Sequence, residues 1–421
     1  MAIENIYMGL DLCAEYTQLS VYNEDSKEPE SIYQLNTADT YMLPNVIFFS
    51  NKEERWYVGA EAAKHRFEEE GLLIEDVIKR IDATETIVIN NCSYSYSELF
   101  LIMVKGHIDE YLNRYEGSGI GKLIVTIYQY NHNLFEALKD LYNVLNVQEE
   151  VVEITSRMNS YIHYVFNQPS ELYNNSVVLF DYSIDGLDYY RIDTIKKGGN
   201  SEIIDVIHKN FREEISYAMV FGDKEELDKK FADVAQKLLK ETYVSSVYLT
   251  GIGFGDKWLK VSTNVICSGR RVFMGQNIYA KGACYAAVSG ESTIEPNKYT
   301  VRTEETVLYD IGVSKDEDKI SFVPIAFGGC EWYKMQGKLH VILDHTNRIN
   351  IVYKNRISGK ASKEIIEVHG LPKRPEKTTR LSLEVECYSN REGELIIKDL
   401  GFGKMYPTTN KIYRKEFVLE E

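Results

Sequence analysis

Two aspartates lead two nearly identical turns. An apolar run, Ile6-Tyr7-Met8-Gly9-Leu10, ends at Asp11, turns through Cys13, Ala14 and Glu15, and resumes at Leu19-Ser20-Val21-Tyr22. The layout returns where Val177-Val178-Leu179-Phe180 ends at Asp181, turns through Ser183, Ile184, Asp185 and Gly186, and resumes through Asp188 to Ile192. Each copy reads as strand, tight turn and strand. Such a turn presents backbone N–H groups to phosphate oxygens, and glycine suits it because a missing Cβ lets the oxygens approach. The repetition predicts two halves that close on a nucleotide. Asp11 and Asp181 lead the turns and Asp188 follows the second; aspartate also favours turns for its own sake. Gly251, Gly253 and Gly255 are spaced so that backbone can pass close to a sugar or base, a pattern equally at home in an ordinary strand-to-helix turn.

The elements that must position these residues follow the same repeat. After the first hairpin come the strand Leu123 to Ile127 and a helix-like run from Phe135 to Leu145; after the second comes a strand from Val244 to Leu249. Sites at the carboxyl ends of such strands are the expectation for mixed α/β sheets. Apolar residues at three- and four-residue spacing predict helices over Ser97 to Leu112, capped by Ser95 or Ser97, and over Lys224 to Leu239. From Val301 onward the texture changes to alternation, as in Lys338 to Leu343, Arg348 to Tyr353 and Leu381 to Cys387, with turn residues between. The expected organisation is an α/β domain over 1–300, with lobes of about 1–175 and 176–300, and an antiparallel β domain over 301–421. At the junction, Val307 and Leu308 either dock against one lobe or form an edge strand.

Composition narrows the partners. The chain has 421 residues, 44% of them apolar, and a formal charge of −16. Disorder is excluded, and no concentration of Lys and Arg offers a patch that would release counterions from a nucleic acid. No window reaches the roughly 18 apolar residues of a membrane span, and no basic-then-apolar leader opens the sequence, so a cytoplasmic protein is expected. The six cysteines form no CxxC pair and read as reduced core or turn residues. Oligomeric state is not encoded in any of these features.

Taken together, the residues resemble the DnaK-type heat-shock chaperone (heat-shock protein 70) family over most of the chain. Besides the two hairpins, the similar segments include Pro44 to Phe49 followed by Val58-Gly59-Ala60-Glu61, Val125-Thr126-Ile127 leading into Ala137-Leu138-Lys139-Asp140, and Lys281-Gly282-Ala283-Cys284. Val368-His369-Gly370-Leu371-Pro372 and the strands after it resemble the family's peptide-binding β-sandwich. The resemblance implies an actin-like ATPase fold of two pseudo-repeated lobes followed by that sandwich, with ATP or ADP and magnesium as ligands. It assigns Lys79, Asp181 and Asp188 to catalysis and Asp11, Asp181 and Asp188 to the metal. Asp11, Cys13, Ala14, Glu15, Ser183, Gly186, Gly251, Gly253 and Gly282 would contact nucleotide. Leu339, Ile342, Ile349 and Ile351 would face an extended apolar peptide.

The departures from the family pattern weaken this activity. Cys13 replaces a turn glycine, and Glu15 and Asp185 would stand beside phosphate; two like charges 4 Å apart repel by roughly 4 kcal/mol at an effective dielectric constant near 20. Arg157 and Met158 stand where the family carries a catalytic glutamate and a proline, and Tyr128 where it carries a switch proline. Asp181 and Gly251 are only 70 positions apart, implying trimmed outer subdomains, and no helical lid follows the β domain. The loop from Ser314 to Lys319 is charged where the family has small and apolar residues. The expected protein is therefore a diverged DnaK-like chain, a pseudo-ATPase with weak or no hydrolysis, whose sandwich binds peptide or protein. An active ATP-dependent chaperone, a small-molecule kinase on the same jaw, and a structural scaffold suited to its 31 tyrosines are the alternatives.

Overall fold

A computed structural model of the chain describes residues 4–32, 41–113, 118–196, 202–289, 299–315, 321–344 and 346–420. The charged positions 316–319 singled out above lie outside them. The chain is mixed α/β with a β-rich C-terminal region, and it divides into two compact units, residues 1–192 with 208–295, and residues 193–207 with 296–421. The excursion over 193–207 thus goes with the second unit. Among the described residues no helix is long and apolar enough to cross a membrane.

The first unit is organised around two sheets that repeat one plan. In the first, the spatial order is Val152–Ser156, Ser118–Ile127, Glu4–Leu12, Tyr16–Asn23 and Glu28–Ser31. In the second, the strands of this unit run Arg271–Met274, Val244–Thr250 and Ser176–Ser183, followed by the strand that starts at Gly186. In both, the leading strand of the hairpin lies at the centre, parallel to one neighbour and antiparallel to the other. A central strand covered on both faces must be apolar on both, and Val178, Leu179 and Phe180 are fully buried.

The helices of this unit form for reasons the sequence carries. Tyr96–Leu112 starts with a capping box in which Ser95 accepts from the Glu98 backbone while the Glu98 side chain reaches back to Ser95, so Ser95 is the cap. Lys224–Leu239 is capped by Asp223 and buries Leu227, Phe231, Ala235 and Leu238 on one face. The run from Phe135 to Leu145 is two helices, His132–Lys139 and Leu141–Leu145, broken at Asp140. Helix Ile278–Ser289 lies so close to helix Arg157–Phe166 that a Cβ on Gly282 would sit 1.8 Å from the Ser160 carbonyl oxygen.

The second unit holds two four-stranded antiparallel sheets. One runs Val323–Ala326, Tyr309–Ser314, Arg348–Asn355, Ala361–Glu367; the other runs Gln336–Leu343, Thr379–Cys387, Glu392–Asp399, Ile412–Val418. Ile311, Ile351, Leu381, Leu383, Val385, Leu395 and Ile397 form their shared core. Val307 is fully buried in that same core, and Thr306 beside it forms a bridge with Glu331. Arg374 and Asp399 form a buried two-point ion pair at 2.7 and 2.8 Å that ties the loop after Asp399 to the segment before Thr379.

Candidate functional site

The first hairpin turn is pinned locally. Cys13 N–H donates to the Tyr16 carbonyl at 3.0 Å, and Asn45 Nδ2 donates to the Cys13 carbonyl at 2.7 Å. Asp11, one residue inside the strand end, is fully buried and pairs in register with Thr126 on the parallel neighbour. The next strand out, Val152–Ser156, ends at the same edge, and there Ser156 caps a helix whose first residue is Arg157. Arg157 is thereby delivered to Asp11. Its Nε donates to Asp11 Oδ1 and its Nη2 to Asp11 Oδ2, each at 3.0 Å. Nη2 also lies 2.7 Å from Cys13 Sγ, and Nη1 lies 3.9 Å from Asp181 Oδ2 on the second hairpin. The rings of Tyr128 and Tyr279 each stand 4.8 Å from the guanidinium carbon, within cation–π range.

The second hairpin sets two carboxylates directly opposite each other, Asp181 against Asp188. Like charges in such a cross-strand pair destabilise the sheet unless each finds a cation. Asp181 has Arg157 and accepts from the Tyr279 hydroxyl at 2.7 Å. Asp188 has Arg212, whose Nη2 and Nε donate at 2.8 and 3.3 Å, with Asn210 Nδ2 at 3.1 Å and His208 Nε2 at 3.0 Å. Arg212 Nη2 also donates to the Tyr128 hydroxyl. Tyr128 therefore joins the two arginines, offering its ring to one and its oxygen to the other. Gly186 has φ +108°, and a Cβ there would stand 2.8 Å from Arg212 Cα, so the glycine lets Arg212 reach its place.

The electrostatics follow the contacts. Burial works against the charge of Arg157, but Asp11 and Asp181 outweigh it and raise its pKa further above the ordinary arginine value. Burial raises the Asp181 carboxyl, with Arg157 and Tyr279 opposing. For Asp188, burial also pushes upward, yet His208 and Arg212 prevail and its pKa is lowered. Burial pushes the Tyr128 phenol up to about 12, so it remains a neutral donor and acceptor at physiological pH.

The other residues read from the sequence sit as follows. Lys79 Nζ stands 3.0 Å from both Glu15 Oε1 and Asp76 Oδ1, so Glu15 turns to a lysine and that lysine is engaged. Ala14 is half-buried, and Ser183 Oγ accepts from the Asp185 N–H at 3.2 Å within its own turn. Gly251 and Gly253 both serve Tyr182: a Cβ at Gly251 would lie 2.5 Å from the Tyr182 carbonyl oxygen, and one at Gly253 would lie 2.3 Å from the Tyr182 ring. Gly282 is consumed by helix packing, as described above. These glycines have a packing reason that calls for no nucleoside.

The aspartates do not fit a magnesium ion as arranged. Both oxygens of Asp11 are taken by the Arg157 fork, both of Asp188 by Arg212, His208 and Asn210, and Asp181 Oδ2 by Tyr279. Among the described residues no group of three or more His, Cys, Asp or Glu side chains is placed to hold a metal. Sequence reasoning marked Arg157 as a replacement but not as the partner of Asp11, and it missed Tyr279, His208, Asn210 and Arg212 altogether. The one available signal was a basic residue, Arg212, soon after a strand that neighbours Asp188.

In the second unit the four peptide-facing assignments do not converge. Ile351 and Ile349 are core side chains, 0% and 5% exposed, because inward alternation puts them between the sheets. Leu339 is half-buried opposite Leu383 and packs on the same core, whereas Ile342 is exposed. A shared cleft made by these four is corrected to core and outer surface.

Residues 28–304 match the model described as a family of unknown function (DUF5716), C-terminal. The chain belongs to the DUF5716 family. In this DUF5716 chain the second aspartate-led hairpin, with Arg157, Asp181, Asp188 and Arg212, lies within the matched region, whereas the first hairpin, with Asp11, precedes it. Residues 306–419, which hold both sheets of the sandwich, match a domain of unknown function (DUF8552). No curated protein matches the sequence.

Proposed function

We propose that this chain is a diverged DnaK-related protein, with an actin-like core of two pseudo-repeated lobes, a degenerate nucleotide site and a sandwich that engages peptide or protein. On this reading it is a pseudo-ATPase, and ATP and magnesium are ligands its ancestry held and its cleft no longer takes. The repeated strand order, with an aspartate-led hairpin at the centre of each sheet, supports the lobed core. The single observation that carries the loss of nucleotide is Arg157, seated on Asp11 and beside Asp181. A guanidinium there holds by itself the carboxylates that hydrated magnesium would need.

For the sandwich, edge strands support engagement of an extended chain. Ala361–Glu367 ends one sheet and Ile412–Val418 ends the other, and Lys415 meets Glu364 at 3.1 Å between them. Ile365, Ile412 and Val418 are more than half exposed on these strands. Strand addition uses backbone for affinity and such side chains for selection. The test is fluorescence anisotropy of a labelled, extended apolar peptide with the full chain. Binding is expected, unchanged by ATP and magnesium, and weakened by Ile365→Lys. Release driven by ATP would favour the active chaperone, and absence of binding would leave the scaffold reading.

A further inference from the structure

The surroundings of Arg157 have the chemistry of a receptor for a planar cation. Asp11 and Asp181 are 0% and 5% exposed, and two carboxylates taken from water on separate hairpins need a positive charge between them. The Asp11 carboxylate meets the guanidinium edge on at two points, matching a planar fork of two N–H donors that an ammonium can supply only singly. Tyr128 and Tyr279 add aromatic faces at 4.8 Å, which attract a weakly hydrated guanidinium and offer a hard divalent cation nothing. Tyr279 also spends its hydroxyl on Asp181, fixing that carboxylate toward Arg157.

The span of the contact matters as much as its chemistry. Arg157 begins a helix that follows the first sheet, while Asp181 belongs to the central hairpin of the second. One side chain thus joins the two halves at the position where their turns face each other. Tyr128 extends the junction, because its hydroxyl accepts from Arg212, which is bound to Asp188 on the second hairpin.

We propose that this cleft is a guanidinium site occupied by the chain's own Arg157, an internal latch that holds the two hairpins as a bound ligand would. Emptied by truncation, the site takes up free guanidinium in preference to a divalent cation. The latch stands whether or not the sandwich engages peptide; binding of magnesium-ATP by the wild-type chain would defeat the functional reading above and is read in a separate experiment.

The test is thermal melting of the full-length chain with Arg157→Ala, in low-millimolar guanidinium chloride, magnesium chloride or sodium chloride at matched ionic strength. Arg157→Ala is expected to melt several degrees below wild type, guanidinium to recover part of the loss, and magnesium to recover none. The recovery is expected to vanish when Asp11→Asn is added. Magnesium matching guanidinium, no recovery by either cation, or a wild-type melting temperature for Arg157→Ala would each overturn the proposal. Should Arg157→Ala fail to fold, its yield on refolding into guanidinium against magnesium gives the same comparison. Arg157→Lys supplies an independent check: it keeps the charge but not the fork, so it is expected to melt below wild type, and equality with wild type would overturn the two-point latch.

Discussion

Arg157 and Asp11, far apart in the chain, meet in a buried two-point ion pair with both N–O distances at 3.0 Å. Removing one member of such a pair leaves a charge without a partner, at a cost of about 3–5 kcal/mol, whereas replacing both with apolar groups of similar volume is often close to neutral. Asp11→Ala is therefore expected to lose about that much stability in urea denaturation of the first unit's signal. Asp11→Leu combined with Arg157→Met is expected to recover only part of it, since Asp181 then keeps the Tyr279 hydroxyl but loses its cation. Losses that simply add would mean the two side chains act separately.

Gly253→Ala tests what the glycine run is for. The new methyl would stand 2.3 Å from the Tyr182 ring, which is fully buried against Phe254 and Trp258. Overpacking of this kind costs about 1–3 kcal/mol. A clear fall in melting temperature without any ligand present is expected; an unchanged melt would return Gly253 to the list of residues kept for a ligand.

His107 sets a pH dependence. It is 2% exposed in helix Tyr96–Leu112, neither ring nitrogen has a hydrogen-bond partner, and burial pushes its pKa down to about 4 from 6.5. The unfolded chain therefore binds a proton that the folded chain refuses between those values, and stability must fall as pH drops from about 6.5 toward 4. The full span corresponds to roughly 3 kcal/mol. Chemical denaturation across this range should show the slope in the wild type and lose that component in His107→Leu.

Asp399 in the second unit has the opposite sense. Burial raises its carboxyl, but Arg374 and Thr409 outweigh that and hold it well below the usual carboxylate range. Its contribution is present above the ordinary aspartate pKa, near 4, and is lost as pH falls below it. Asp399 also receives the backbone N–H of Gly401 at 3.0 Å and of Thr409 at 2.9 Å. Hydrogen exchange is the direct readout: Asp399→Ala is expected to speed exchange across residues 401–409 at neutral pH, and unchanged protection there would remove the carboxylate from control of the loop.

The parts legible in the sequence were those set by local periodicity and local capping. The hairpins at Asp11 and Asp181 announce themselves by an apolar run, a turn and a second run, and Lys224–Leu239 matches its expected range because Asp223 and the apolar spacing agree. Two kinds of feature were not legible. Side-chain pairings across long separations, such as Arg212 with Asp188, leave no periodic trace. Faces were the other: alternation marks Arg348–Asn355 as a strand but does not say which side the partner sheet covers, and so Ile349 and Ile351, read as peptide contacts, are core. Gly251 and Gly253 were ambiguous for a related reason, since a glycine required by a neighbouring ring and one required by a ligand are the same residue type.

Whether the cleft still takes nucleotide is decided most directly by isothermal calorimetry of the wild-type chain with magnesium-ATP, and with ADP for comparison. With Arg157 seated on Asp11 and Arg212 on Asp188, no binding heat is expected at millimolar nucleotide. Saturable binding with a micromolar Kd would contradict the proposal that this chain is a pseudo-ATPase with a degenerate nucleotide site.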